Sequence, residues 1–341
     1  MKVKKAAIIG YGYMGEIRRK VIEANPCLEL VGIFEVNSQI RSKITGCRLY
    51  DKAEDIFKDV LDIVFVCTPN SSSPELCIAG MNAGKHIFCE KPPGRDVKDI
   101  EDIIKSEKRN KKIKLMFGFN HRFHPGIIKA RAIINSGRLG DIVSLRGVYG
   151  KSGGKNFPSS WRNDRSVSGG GILLDQGIHM LDLFLYFCND FEQVKCFTSN
   201  SFWKFAIEDN AHMIMKNKSG QTASLHSSAT LWKHTFKLEM ILEEGYATVE
   251  GLLSKSGSYG RERLILGKRQ FEDEAYAVGN PEEEITHFDR DLSWDLEVKE
   301  FLDCIDQDKT VDISSSQDAL KVMKIIEKAY IDSQTYQEVY K

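Results

Sequence analysis

Asp175 and His179 stand four residues apart in an apolar stretch that reads as one helix, from about Ile172 to Cys188. In an α-helix this spacing sets two side chains one turn apart on one face. A carboxylate near an imidazole raises its basicity and fixes its orientation, which suits proton transfer near neutral pH. Lys91 follows a short apolar run, His86–Cys89. An ammonium there could stabilise an alkoxide as it forms. A third constellation is Gly10-Tyr11-Gly12-Tyr13-Met14-Gly15, with the spacing G-x-G-x-x-G between an apolar run and a helical pattern. Its first glycine permits a tight turn, its second lets a pyrophosphate approach the backbone, and its third lets helix and strand pack closely. Glu35 closes the next apolar run, 20 residues after Gly15. A carboxylate there accepts both ribose hydroxyls of an adenosine and repels a 2′-phosphate, which predicts NAD rather than NADP. A base, an oxyanion stabiliser and a dinucleotide loop are together the tools for oxidising an alcohol.

The elements that must position these groups fall into two rhythms. Up to Phe119, continuous apolar runs (Ala6–Ile9, Leu30–Phe34, Ile63–Cys67, His86–Cys89, Leu115–Phe119) alternate with helical patterns. Runs of this kind suit strands buried on both faces of a parallel, doubly wound sheet. Ser73-Pro74-Glu75 reads as a helix start, and Val97, Ile100, Ile103 and Ile104 recur at helical spacing from Asp96 to about Asn110. After Asn120 the pattern changes. A helix from Pro125 to about Ser136, a strand at Ile142–Tyr149 and the apolar helix precede strands near Gln193–Thr198, His212–Met215, Thr222–Ser227, Phe236–Leu242 and Tyr246–Glu250. Consecutive strands predict an α+β domain on a large, mostly antiparallel open sheet. Helices near Leu292–Asp306 and Gln317–Ser333 close the chain. The expected domains are 1–121, dinucleotide-binding, and 122–341, for substrate and oligomerisation, with the closing helices able to pack back on the first.

Three further segments carry a resemblance: Thr68-Pro69-Asn70 after one strand, Glu90-Lys91-Pro92 after the next, and Gly169-Gly170-Gly171 leading to Asp175 and His179. In this order the chain resembles the Gfo/Idh/MocA oxidoreductases over essentially its whole length, including Trp161-Arg162 ahead of the glycines. The resemblance implies hydride transfer between NAD and a secondary alcohol of a sugar, nucleotide sugar or cyclic polyol. It implies Lys91, Asp175 and His179 as catalytic residues that also meet substrate. It places Gly10 to Gly15, Glu35, Thr68, Pro69, Asn70, Glu90, Lys91, Asn120, Trp161 and Arg162 around the cofactor. Asn120 and Arg122, at the domain junction, are expected near the substrate. Which of Lys91 and His179 is the base stays open. The chain departs from the family at Ser73, where many members carry histidine, and at Pro93 directly after Glu-Lys-Pro. The loop 150–160, with Lys151 and Lys155, could act as a lid over an anionic group or be plain solvated loop.

Composition narrows the alternatives. With 48 basic and 48 acidic residues there is no overall field to draw nucleic acid or an acidic membrane. The eight cysteines form no C-x-x-C pair, so no metal site is expected, and buried thiols suit a reducing cytoplasm. The run Ala6–Ile9 is too short for a signal sequence, and no stretch reads as a membrane span of roughly 20 apolar residues. An open sheet with helices on one side needs its other face covered, which predicts a homodimer or homotetramer. The competing reading is a non-catalytic NAD-binding regulator of the same fold, which would have no need of Lys91, Asp175 and His179 together.

Overall fold

The computed structural model describes residues 3–154, 157–273 and 276–339. They divide into two compact units, and neither is one continuous stretch of chain. The first comprises Met1–Asn120, Ser166–Gly169 and Trp294–Leu320; the second comprises His121–Arg165, Gly170–Ser293 and Lys321–Lys341.

In the first unit six strands form one sheet: β1 (Lys4–Ile9), β2 (Leu28–Phe34), β3 (Arg48–Leu49), β4 (Ile63–Val66), β5 (His86–Cys89) and β6 (Leu115–Phe117). Their order is β3-β2-β1-β4-β5-β6 and every pairing is parallel. The order reverses between β1 and β4, where open α/β sheets bind ligands beyond the strand C-termini. Ala6 to Ile9 and all of β4 are fully buried, as continuous apolar runs require. The helix Val97–Arg109 turns Val97, Ile100, Ile103 and Ile104 inward, and the Asp96 side chain caps it by accepting from Asp99 N at 2.9 Å. The helix Ser73–Asn82 begins one residue earlier than expected, with Ser72 at its N-cap position but no side-chain cap, and Pro74 inside its first turn.

The segment Trp294–Leu320 completes this unit's interior. Arg18 is wholly buried; its Nε donates to Glu90 at 2.6 Å and its Nη1 pairs with Glu297 at 2.6 Å. Phe301 meets Phe88 edge-on at 5.6 Å, and Phe117 N donates to Ser314 O at 2.9 Å.

The second unit is built on eight strands: β7 (Ile142–Ser152), β8 (Gln193–Ser199), β9 (Asn210–Lys216), β10 (Thr222–Ser228), β11 (Thr230–Leu242), β12 (Gly245–Glu250), β13 (Glu262–Lys268) and β14 (Glu283–Phe288). Their order is β14-β13-β12-β11-β7-β10-β9-β8; only β7 and β10 run parallel. The sequence pattern missed β13 and β14. One row of side chains across the register (Cys196, Met213, Leu225, Leu238, Val249, Leu264) is buried. The helix Ile178–Cys188 lies close on this face: a Cβ at Gly147 would sit 2.5 Å from Met180 Cγ. Phe197, Ile214, Ile241 and Ile285 point the other way and are exposed.

One expectation is corrected. The stretch Arg165–Cys188, helical at Arg165–Ser168 and again from Leu173, has a length and composition that would suffice to cross a membrane, with 89% of its most apolar window buried. The sequence reading began this element at Ile172, too late to see its length.

Candidate active site

The glycine loop follows β1, and its three glycines are needed for different reasons. Gly10 has φ +90°, and a Cβ there would sit 2.6 Å from Cys67 O. At Gly15 a Cβ would sit 2.3 Å from Gly10 O. At Gly12 it would meet nothing within 4 Å. Protein packing therefore explains Gly10 and Gly15 but not Gly12, whose bare backbone suits close approach by a ligand. Gly12 is also the N-cap of the helix Tyr13–Ala24 and supplies no side-chain cap, so that helix presents its first N–H groups to an anion. Tyr13 is exposed and Met14 half-buried beside this opening. Glu35 directly follows β2, is buried, and accepts from Tyr11 N at 2.6 Å and Asn37 N at 2.7 Å. Its charge is thus fixed beside the loop. These residues fit a dinucleotide.

Around the switch point the other expected residues fall into two groups. Thr68 and Pro69 form the turn after β4, pinned by Ser73, whose Oγ lies 3.0 Å from Thr68 Oγ1. Ser73 is buried and braces this turn. Asn70 donates from Nδ2 to Ser168 O at 2.7 Å. Lys91 is half-buried, one residue past Glu90, and its peptide bond to Pro92 is cis. Asn120 is buried at the end of the first unit's main segment. Glu90 pairs through Oε1 with Arg18 in the interior, which supports the strand end that carries Lys91.

In the second unit the expected helix is not uniform. Leu173–Gly177 is wound as a π-turn and Ile178–Cys188 as an α-helix, so regular i, i+4 geometry does not apply between Asp175 and His179. Such π-turns recur at functional sites. The glycines before it accommodate a clamp. A Cβ at Gly171 would sit 2.2 Å from Glu208 O, and one at Gly170 would sit 2.2 Å from Tyr330 Oη. The Glu208 carboxylate accepts from Gly171 N and Leu173 N, each at 3.0 Å, and from Tyr330 Oη at 2.8 Å. Burial pushes its pKa up, and the donors from Tyr330, Leu173 and Gly171 oppose that rise. The helical run therefore starts on a buried carboxylate that fixes the frame for Asp175 and His179.

Asp175 is held between two cations: Lys151 Nζ lies 2.9 Å from its Oδ2 and Arg162 Nε 3.0 Å from its Oδ1. Arg162 belongs to the short turn Trp161–Asn163 and lies over the Trp161 ring at 4.6 Å. Lys155 lies outside the described residues. His179 is buried and stacks on His121, with ring centres 3.7 Å apart and planes 18° from parallel. His121 Nε2 lies 3.1 Å from Tyr149 Oη. Burial, then Tyr259 and Asp175, push the Tyr149 hydroxyl well above its usual range; burial pushes Tyr259 up to about 12. Both phenols stay protonated at neutral pH. Gln176, one residue past Asp175, donates to Tyr259 Oη at 2.6 Å.

Arg122 has another task than expected. It is buried, with Nε 2.8 Å from Asp182 Oδ2 and Nη2 2.6 Å from Oδ1. This two-pronged pair locks the segment bearing His121 to the helix bearing His179. His124 is bound to Glu262 at 2.8 Å, and His234 lies 3.1 Å from Ser152 Oγ. Sequence reasoning missed Tyr149, Tyr259, Gln176, Glu208 and Tyr330. Only the polar run Glu208-Asp209-Asn210 at a strand start gave a usable signal.

Comparison with known proteins agrees with this geometry. Residues 4–119 match the oxidoreductase family NAD-binding Rossmann fold, and residues 127–248 match the GFO/IDH/MocA C-terminal domain. Levoglucosan dehydrogenase of Pseudarthrobacter phenanthrenivorans is 30% identical over 217 residues, 58% of this chain and 55% of that protein. The match thus spans little more than half of that relative's length. D-glucoside 3-dehydrogenase of Escherichia coli is 27% identical over 273 residues, 74% of this chain and 76% of its own. The solved levoglucosan dehydrogenase complex with NADH has the same fold, with a TM-score of 0.85 at 21% identity over 98% of both chains. With both halves matched and the glycine loop, strand order and Asp175–His179 turn in place, the chain belongs to the Gfo/Idh/MocA family of oxidoreductases.

Proposed function

We propose that the protein is an NAD-dependent dehydrogenase acting on a secondary alcohol of a sugar, nucleotide sugar or cyclic polyol. The observation that carries this reading is His179: a buried imidazole stacked on a second imidazole, four residues from a carboxylate, on a helix whose start is clamped. A protein that only bound NAD would have no use for it. NAD, when bound, supplies the acceptor for a hydride.

His179 takes the hydroxyl proton. Asp175 keeps a negative charge at the site, which favours the imidazolium that results. Tyr149, a neutral phenol within hydrogen-bond distance of His121, holds the ring on which His179 stacks. In the first unit Lys91 stabilises the substrate oxygen as charge develops. Arg122, paired with Asp182, positions His121. Glu35 selects NAD by opposing a 2′-phosphate. The test is NADH formation across a panel of sugars, glycosides, inositols and nucleotide sugars. No turnover with any of them would leave the regulatory reading in possession.

The reading extends to assembly and place. The exposed Phe197, Ile214, Ile241 and Ile285 lie among charged pairs such as Arg146–Glu239 on one sheet face, a surface suited to a second copy. A homodimer or homotetramer in the cytoplasm follows; a monomer in light scattering at micromolar concentration would count against it.

A further inference from the structure

We propose that the second unit contains a subsite for the apolar aglycone of a glycoside, beside the Asp175 turn. This rests on the reading that a sugar hydroxyl reacts at that turn.

A small hollow, open to solvent, lies within this unit. Asp175 and Arg162 line it, together with the rings of Phe157 and Phe205 and the aliphatic Ile172 and Ile207. The aromatic part is built rather than incidental. Phe157 packs on Trp203 at 4.8 Å, and Trp203 Nε1 donates to Ala229 O at 3.0 Å. Buried Asp209 accepts from the backbone N–H groups of Phe202 and Trp203 at 2.9 and 3.0 Å, fixing the loop from below. Gly153 leaves room for the indole: a Cβ there would sit 2.1 Å from it.

The chemistry of the walls selects the occupant. Arg162 is already paired with Asp175, and the Glu208 and Asp209 carboxylates that also line the cavity are bonded to backbone N–H groups. Asn163 aside, the remaining lining is carbon. A free hexose or an inositol carries hydroxyls on every edge, and those facing Phe157, Phe205 and Ile207 would lose water without gaining partners. A nucleotide sugar would bring phosphates to a wall whose one lining cation, among the described residues, is neutralised. A glycoside with an aryl aglycone is polar where Asp175 stands and apolar where the rings stand. Its flat ring gains both burial and aromatic contact.

The experiment measures binding of phenyl glucoside, glucose and cellobiose by calorimetry in the presence of NADH, and NADH formation from each with NAD. The expected result is phenyl glucoside bound roughly tenfold more tightly than glucose, the scale of one aromatic contact plus burial. Phe157→Leu and Phe205→Leu should each narrow that gap several-fold and leave glucose unchanged. Equal binding of phenyl glucoside and glucose by the unaltered protein would overturn the proposal, and needs no variant. So would equal loss of both ligands in the leucine variants, or cellobiose bound more tightly than phenyl glucoside. A binding preference with no NADH from any ligand would uphold the subsite and sink the dehydrogenase reading, so the two fail separately.

Discussion

The chain has two glycine clusters, and they serve opposite ends. In the loop Gly10–Gly15, the middle glycine faces open space on a helix N-terminus that carries no side-chain cap. In Gly169–Gly171, every position is crowded by the protein itself: Arg95 backbone at Gly169, Tyr330 at Gly170, Glu208 at Gly171. The first cluster leaves a surface bare for a ligand. The second lets a carboxylate and a phenol reach the backbone and set a helix start. A run of glycines near a site is therefore not evidence of ligand contact until the space around each has been measured.

The clamp is only worth having if the helix it holds does chemistry, so the largest expected effect is at His179. His179→Ala should slow hydride transfer about a hundredfold or more, the usual contribution of a placed acid–base group, with NAD affinity unchanged. Pre-steady-state transfer beside NAD binding by fluorescence checks it. Near-normal transfer would leave the second cluster as mere architecture.

The comparison itself is broken or sharpened by matched glycine variants. Gly12→Val should weaken NAD binding by more than about tenfold, because the backbone must approach a pyrophosphate, and leave the thermal midpoint unmoved. Gly171→Ala should do the reverse. Its Cβ would lie 2.2 Å from Glu208 O, and such overpacking costs about 1–3 kcal/mol, read as a lowered thermal midpoint. If both variants lose the same property, the two clusters are not different in kind.

Glu35→Gln tests the ligand side more finely. It removes a charge and keeps one of the two acceptor oxygens that Tyr11 N and Asn37 N use. The preference for NAD over NADP should shrink by roughly a factor of ten, one to two kcal/mol being typical for a close charge pair out of water. An unchanged preference would assign selectivity elsewhere.

The smallest expected effect is a pH slope in stability. Burial raises the pKa of Glu208 in the folded protein above its usual value of 4.5. The folded state then holds this proton more tightly than the unfolded chain. This group's contribution is thus most favourable below pH 4.5 and is lost as pH rises through the folded pKa. Glu208→Gln should remove that component, so the difference in denaturation midpoint between the two proteins should change across this range. A pH-independent difference would mean that Glu208 titrates as it does unfolded.

Much of this was legible in sequence because it is local. Alternating apolar runs and helical periods gave five of the six strands of the first unit, all but β3, and spacing picked out Gly10 to Gly15 and Glu35, while Asp175 and His179 stood out only with the family resemblance. What was missed is either irregular or long-range. The π-turn at Leu173–Gly177 adds no period that a helical pattern would reveal. The edge strand β14 is short and largely exposed, so it carries no buried alternation. Glu208 holds backbone 35 and 37 residues away, and Tyr330 donates to it from 122 residues further on, pairings no spacing rule encodes. The pairs that Arg122 and Glu90 make with Asp182 and Arg18 are likewise 60 and 72 residues apart in sequence.

The placement of Trp294–Leu320 in the first unit bears on how the chain is made. Arg18 is buried between Glu90 and Glu297, and Phe301 covers Phe88. A ribosome that has delivered only the first 120 residues has released six strands and the glycine loop, but a guanidinium still lacking one of its two carboxylates and a core still lacking a ring. Domains generally fold in the order in which they emerge. Here the earlier half must wait for nearly the last helix. The nascent chain thus carries an unfinished cofactor fold through most of its synthesis, and a fragment ending at Asn120 would inherit that state permanently.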